Sequence, residues 1–364
     1  MQLLDSVQLS DISESLQLSL QDIIHNVEIQ SQYCIKHPNY KPLELPESSV
    51  SRFEKLSSDL QNKYLSQQLR SFLYGIYYNG SLKSVLASDA EISNLAVNQN
   101  LENNTFLGVD LAFYDRLHEN NRGQGYWSHA WLVVREEIDG AIAVHRDGLT
   151  LYVEQDALQT PVNLGNLISI KLPKNLVQSG FYMAVADAGA SRHHQTPGQT
   201  LVRVYFNVTP DGAVAVMDSL TTQLNAISLE FTFKALYNPS DYERYDSAVL
   251  YFDKNSYEQV QPVLETLYRK HEAHFREQVP LFTKPIAPGL AIAEEPKHRF
   301  TENESFGTHR CQIVANGLLA AWQQGINTPS GKMTSILQQF SALNIELQCP
   351  YLNANSEDIY TPLR

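Results

Sequence analysis

Cysteine is scarce. The chain has three in 364 residues, Cys34, Cys311 and Cys349, odd in number and far apart. That spacing fits neither a disulfide framework nor a CxxC metal knuckle, and all three read as ordinary thiols. Basic charge is also short: 27 Lys and Arg stand against 40 Asp and Glu, a net charge of −13. A general nucleic-acid binder, or a binder of anionic membranes, carries the opposite balance. The N-terminus, MQLLDSVQLSDISESLQ, has no early basic cluster, and no long uninterrupted apolar stretch supports a secretory signal or a membrane span. The expected location is the cytosol. There is no GxSxG elbow, Walker A loop or paired CxxC, so the usual hydrolase, NTPase and zinc-protein readings lose their support. No internal repeat is visible.

What remains is the material of a folded protein. Hydrophobic residues make up 43% and aromatics 10%, enough for a sizeable core. The length favours two domains, or one large domain with an extension. Residues 1–105 read as a helical region: Leu16, Leu18, Leu20, Ile23, Ile24 and Val27 suit one helix face, with an imperfect pattern, and Ser51 to Tyr78 carries a second apolar series. KHPNYKPLELPESS, with three prolines, reads as the loop between them. The polar stretch NQNLENN at 98–104 marks a boundary. Residues 106–364 then read as an α+β domain with a mostly antiparallel sheet flanked by helices. AWLVVREE, AIAVHRDG and LTLYVEQD have the pattern of a β-meander.

In LVRVYFNV, alternation puts Val202, Val204, Phe206 and Val208 on one face and Arg203, Tyr205 and Asn207 on the other. Thr209, Pro210 and Asp211 form a helix start. SLEFTFKAL returns as a strand with Thr232 and Lys234 sharing a face. Lys234 comes near the first polar face if the two strands are neighbours. SAVLYFD is a further strand, Ser256–Phe275 a helix, LFTKPIAPGL a Pro-rich loop in which Gly289 serves a turn, and SFGTHRCQIVANGLLAAWQQG a helix whose first turn carries Arg310.

The chemistry-bearing candidates are the cations Arg203, Lys234, Arg244 and Arg310, with Tyr205 beside the first. Guanidinium forks and a helix N-terminus suit a phosphate or carboxylate. Scattered surface ion pairs are the competing reading. Three other features carry less. His271, Glu272, His274 and Glu277 lack the four-residue histidine spacing of a zincin helix. Arg192-His193-His194 reads as a mobile loop without further ligands. FYDRLHENNRGQGYW reads as a long loop open to substrate contact.

RVYFNVTPDGAVAVMDSLTTQLN, FTFKALYNPSDYERYDSAVLYFD, PLFTKPIAPGLAIAEEP and SFGTHRCQIVANGLLAAWQ together resemble the HopA-type effector family, over most of the chain from about residue 106. That family is named for a plant-pathogen type III effector. Its members also occur beside kinases in clusters for lanthipeptides and thioamidated peptides, where they are implicated as lyases. The resemblance implies elimination of phosphate from phosphoserine or phosphothreonine in a precursor peptide, giving dehydroalanine or dehydrobutyrine without metal or cofactor. A distant likeness to bacterial phosphothreonine lyases, with their Lys-x-His pair, implies Lys234 as base, Arg203, Arg244 and Arg310 as phosphate ligands, and Tyr205 where the histidine would stand, as proton donor. From its own position just before the FYMAV strand, Lys174 either joins the anion site or is simply exposed. An unperturbed lysine, with a pKa of about 10.4, is mostly protonated at neutral pH, so the base role requires desolvation or crowding by other cations. The implied partners are a phosphorylated peptide or protein and a kinase, with the N-terminal region available to contact either; an effector would be delivered into a host cell. A non-catalytic module holding a phosphorylated partner in the same pocket is the alternative.

Overall fold

The computed structural model describes residues 12–87, 108–158, 162–190, 199–302 and 304–364. The polar stretch at 98–104 and the Arg192-His193-His194 triplet lie outside them. The fold is α+β, with antiparallel pairing in all three sheets.

The N-terminal region is not wholly helical. Helix α1 (Glu14–Asn26) is followed by a small sheet of β1 (Glu28–Ser31), β2 (Cys34–His37) and β3 (Tyr40–Glu44), then by α2 (Glu47–Phe53) and α3 (Ser58–Leu73). The segment expected to be a loop is therefore the β2–β3 hairpin. Its prolines mislead because Pro38 lies in the turn and Pro42 lies on β3, the outer strand of its sheet, whose far edge carries an isolated bridge, Tyr40 to Ala87, rather than a strand. The expected second helix is broken at residues 54–57 and ends in a π-helical turn, Tyr74–Tyr78. These elements do not fold apart: Leu65, Leu69, Phe72 and Tyr78 belong to the same buried cluster as the main sheet.

Helix α4 (Leu111–Asn120) occupies the first half of FYDRLHENNRGQGYW, correcting its reading as a loop. Asp110 caps it by accepting from the Phe113 N–H at 2.9 Å. The meander follows as β4 (Tyr126–Glu136), β5 (Ile142–Arg146) and β6 (Leu149–Val153), with β7 (Leu167–Leu172) on the far side of β4. This sheet has a separate apolar core around Trp131, Val133, Val144 and Ile170.

The main sheet contains β8 (Asn175–Gln178), β9 (Phe181–Val185), β10 (Leu201–Phe206), β11 (Thr232–Leu236), β12 (Ala248–Asp253), β13 (Lys284–Ala287) and β14 (Leu290–Glu294), in the order β13-β14-β10-β12-β11-β9-β8. Helix α5 (Pro210–Ala226) joins β10 to β11. Thr209 caps it, accepting from the Gly212 N–H at 3.1 Å, and Ala213, Val216, Met217, Leu220 and Leu224 form its buried stripe. Helix α6 (Tyr257–His271) packs against α5, and beyond its end the Phe275 ring meets Phe206 with centroids 6.2 Å apart. His271 Nε2 lies 2.8 Å from the Ser219 hydroxyl, and His274 Nδ1 lies 3.3 Å from that of Thr209. Both histidines therefore hold α5 to α6. Helices α7 (Phe306–Gln323) and α8 (Pro329–Ala342) follow, and residues 343–364 run on without helix or strand. No helix among the described residues is long and apolar enough to cross a membrane.

The Pro-rich segment expected as a loop is the β13–β14 hairpin, which places β14 beside β10. Pro285 again sits on an outermost strand. Gly289 makes the turn at φ +69°, where an added Cβ would lie 2.0 Å from the Arg276 carbonyl oxygen. Gly289→Ala should therefore cost at least about 2 kcal/mol, from left-handed strain and displacement of that backbone. Urea unfolding checks this; a loss under about 0.5 kcal/mol contradicts the packing argument.

Candidate active site

One face of the main sheet is apolar, and the other carries the chemistry. Register decides which side chains meet. Tyr205 pairs with Val249, Val249 with Lys234, and Lys234 with Met183, forming one row across four strands. Arg203, Tyr251 and Thr232 form the next row. The β10 and β11 strands are thus not neighbours; β12 runs between them. Because every residue in a cross-strand row faces the same way, the inserted strand preserves the shared face, and Lys234 stands two strand spacings, about 10 Å, from Tyr205 along the sheet.

This face floors a cavity of about 610 Å³ that Arg203, Tyr205, Lys234 and Arg244 all line. Four of the six residues singled out in the sequence are therefore together. Phe181, Met183, Val249 and Tyr251 add an apolar wall, and Tyr74 and Tyr78 arrive from the N-terminal region. The loop before α7 contributes Arg299, Glu304 and the cap Ser305, and the first turn of α7 adds Thr308. Gly307 allows this approach, since a Cβ there would lie 2.3 Å from the Tyr78 ring.

The charges are arranged unequally. Arg203 is ion-paired to Glu295, whose other oxygen accepts from Arg299 Nη2 at 2.8 Å. Burial alone would ease proton loss from the Arg203 guanidinium, but Glu295 beside it drives its pKa well above the ordinary value. Arg244 forks onto Asp246, Nε to Oδ1 at 2.6 Å and Nη2 to Oδ2 at 2.9 Å. Burial raises the Asp246 carboxyl, and the Arg244 guanidinium more than reverses this, leaving it below the usual carboxylate range. The Lys234 ammonium sits over the rings of Phe181, 4.2 Å from the centroid, and Tyr251, at 5.6 Å. Among the described residues it touches no carboxylate. Tyr205 is 2% exposed, its ring 6.4 Å from those of Tyr78 and Phe306. Among the described residues its hydroxyl makes no well-formed hydrogen bond, although the Tyr78 phenol is an electrostatic neighbour, and burial pushes its pKa up.

Two expected anion ligands lie elsewhere. Arg310 falls on the second turn of α7, not the first, and is 0% exposed. Its Nε donates to the Pro350 carbonyl at 2.6 Å and its Nη2 to that of Leu352 at 2.8 Å, so it ties the C-terminal segment to α7. With burial dominating, its pKa falls to about 10. Lys174 Nζ donates to the His118 and Asn121 carbonyls at 3.0 and 2.8 Å, closing the C-terminus of α4. Neither lines the cavity. Conversely, Asp246, Glu295, Arg299 and Glu304 were missed. Glu295 follows directly from β14, whose pairing with β10 is not local in sequence, while Arg299 and Glu304 lie in a segment without periodicity.

The molecule is thus an α+β protein with an antiparallel sheet, one face of which floors a cavity rich in arginine and lysine. Residues 172–352 match the HopA1 effector protein family, and this segment of the chain belongs to that family. The matched segment contains the whole main sheet and leaves most of the meander outside. Two solved effector structures are similar, from Pseudomonas syringae pv. tomato strain DC3000 and Pseudomonas syringae pv. syringae strain 61. They are 16% and 14% identical, and each match covers 67% of this chain and 81% of the other with a TM-score of 0.40. No curated protein matches the chain.

Proposed function

We propose that the protein is a phosphoserine or phosphothreonine lyase that eliminates phosphate from a peptide or protein. The observation that carries this reading is the common cavity of Lys234, Arg203, Arg244 and Arg299. β-Elimination needs a base at Cα and positive charge around the departing phosphate. Lys234, the amine with no carboxylate contact among the described residues, is the base in this reading. The guanidinium groups hold the phosphate, with carboxylates Glu295 and Asp246 fixing their orientation. The apolar wall excludes water from the Cα carbanion character that develops.

The test is incubation with phosphoserine and phosphothreonine peptides, in the presence of chelator, followed by mass measurement. Loss of phosphate with formation of an alkene is the expected result. A gain of water at the same residue indicates a phosphatase, and an unchanged bound peptide indicates a non-catalytic module; either outcome rejects the lyase reading. A kinase that installs the phosphate is the partner this reaction requires.

A further inference from the structure

Elimination needs two proton transfers, and resting on the reaction proposed above, Lys234 accounts for one. The leaving oxygen needs the other. Glu304, 3% exposed, lines the same cavity immediately before the cap of α7. Its Oε2 accepts from the Phe300 N–H at 2.8 Å, whereas Oε1 is buried and, among the described residues, makes no hydrogen bond. Glu295, in the same cavity, is the contrast: both of its oxygens meet guanidinium groups. An ionised carboxylate with one buried, unpartnered oxygen bears an uncompensated desolvation cost. A protonated one has a donor that lacks only an acceptor, and the bridging oxygen of a phosphoester is such an acceptor.

Two carboxyls in one cavity, one ion-paired and one not, are the arrangement that separates acid from anion. We infer that Glu304 is the acid that protonates the departing phosphate, opposite in role to Lys234. In this step the Cα–H bond breaks and its proton passes to the Lys234 amine. Its electron pair forms the Cα=Cβ bond, the Cβ–O bond breaks with its pair on oxygen, and that oxygen takes the Glu304 proton. The products are the dehydroamino acid, hydrogen phosphate, a Lys234 ammonium and a Glu304 carboxylate.

Burial raises the Glu304 carboxyl above the ordinary range, opposed in part by the Phe300 and Thr301 N–H groups. The cations facing it are Arg70 from α3, Arg299 from its own loop and Arg310 from α7, all favouring the ionised form. Tyr205 is the weaker candidate, because burial makes a phenol that already holds its proton tightly hold it more so.

The experiment compares two peptides of one sequence, carrying phosphoserine or β-chloroalanine, at saturating concentration. Chloride departs without protonation, so its elimination needs only the base. Glu304→Gln should slow phosphate elimination roughly 10²–10⁴-fold while leaving phosphopeptide affinity and chloride elimination within about threefold. Glu304→Asp, which keeps an acid on a shorter arm, should recover part of the rate. Equal loss on both peptides, or no loss, overturns the assignment, as does a selective loss of phosphate elimination in Tyr205→Phe. Should Glu304→Gln fail to fold, the wild-type profiles decide: kcat for phosphoserine should fall at high pH where that for β-chloroalanine does not, and parallel profiles overturn the role. Wild-type protein that processes neither peptide rejects the lyase reading itself, and the acid with it.

Discussion

Lys234→Ala is expected to abolish elimination from a phosphopeptide, by roughly 10²–10⁴-fold or more, the range contributed by a positioned general base. Phosphopeptide binding should stay measurable, because Arg203, Arg244 and Arg299 remain in the cavity wall. The folding cost should be small, since the ammonium donates to no described carboxylate or carbonyl and its neighbours are ring faces. Mass measurement of the product, with fluorescence anisotropy of the labelled peptide, checks both halves. Activity within tenfold of wild type would remove Lys234 from the role of base. Loss of binding and activity together would make it a phosphate ligand instead.

The position of Lys234 illustrates how far a sequence carries. Alternation alone assigns Arg203 and Tyr205 to one face of β10, and Lys234 and Thr232 to one face of β11, because strand period is local information. Strand order is not local. Nothing in the residues between Phe206 and Thr232 says that β12 will insert between the two strands, yet the register keeps Tyr205, Val249 and Lys234 in line. The expectation of a shared cavity therefore holds although the route assumed for it, adjacency, does not.

Proline explains other differences. In KPLEL and KPIAP it reads as a loop signal, but Pro42 and Pro285 lie on outer strands, where a missing N–H need cost no ladder bond. Arg310 fails for a different reason: a helix start suggests exposed donors, but most of the first half of α7 is buried and its arginine is consumed by the Pro350 and Leu352 carbonyls. Contacts across 40 residues leave no periodic trace. Tyr78 closes the second apolar run, but its place in the cavity wall depends on Gly307, more than two hundred residues away.

Asp246 is expected to give the largest stability effect. Its carboxylate receives both arms of Arg244, the Tyr74 hydroxyl at 3.3 Å and Asn79 Nδ2 at 3.3 Å, and it is 5% exposed. It therefore joins a cavity cation to the N-terminal region. Asp246→Ala takes the carboxylate from a buried guanidinium, a change that typically costs about 3–5 kcal/mol, to be read by urea or thermal unfolding. The pH dependence has a definite sign. The folded carboxyl titrates below the ordinary 3.8, so its stabilising contribution is present above that value and is lost as pH falls through the folded pKa, where the unfolded chain has already bound its proton. The gap between wild type and Asp246→Asn should narrow in that acid window and stay constant above it.

An apolar replacement of the whole pair, Arg244→Met with Asp246→Leu, should recover much of the stability, since an apolar substitute for a buried ion pair is often no less stable. It should not recover phosphopeptide binding. A double variant that is stable yet fails to bind means the pair is kept for the positive charge it presents to the cavity, and Asp246 then acts by holding that charge in place. A double variant that binds as well as wild type assigns the phosphate to Arg203 and Arg299 at the other end of the face.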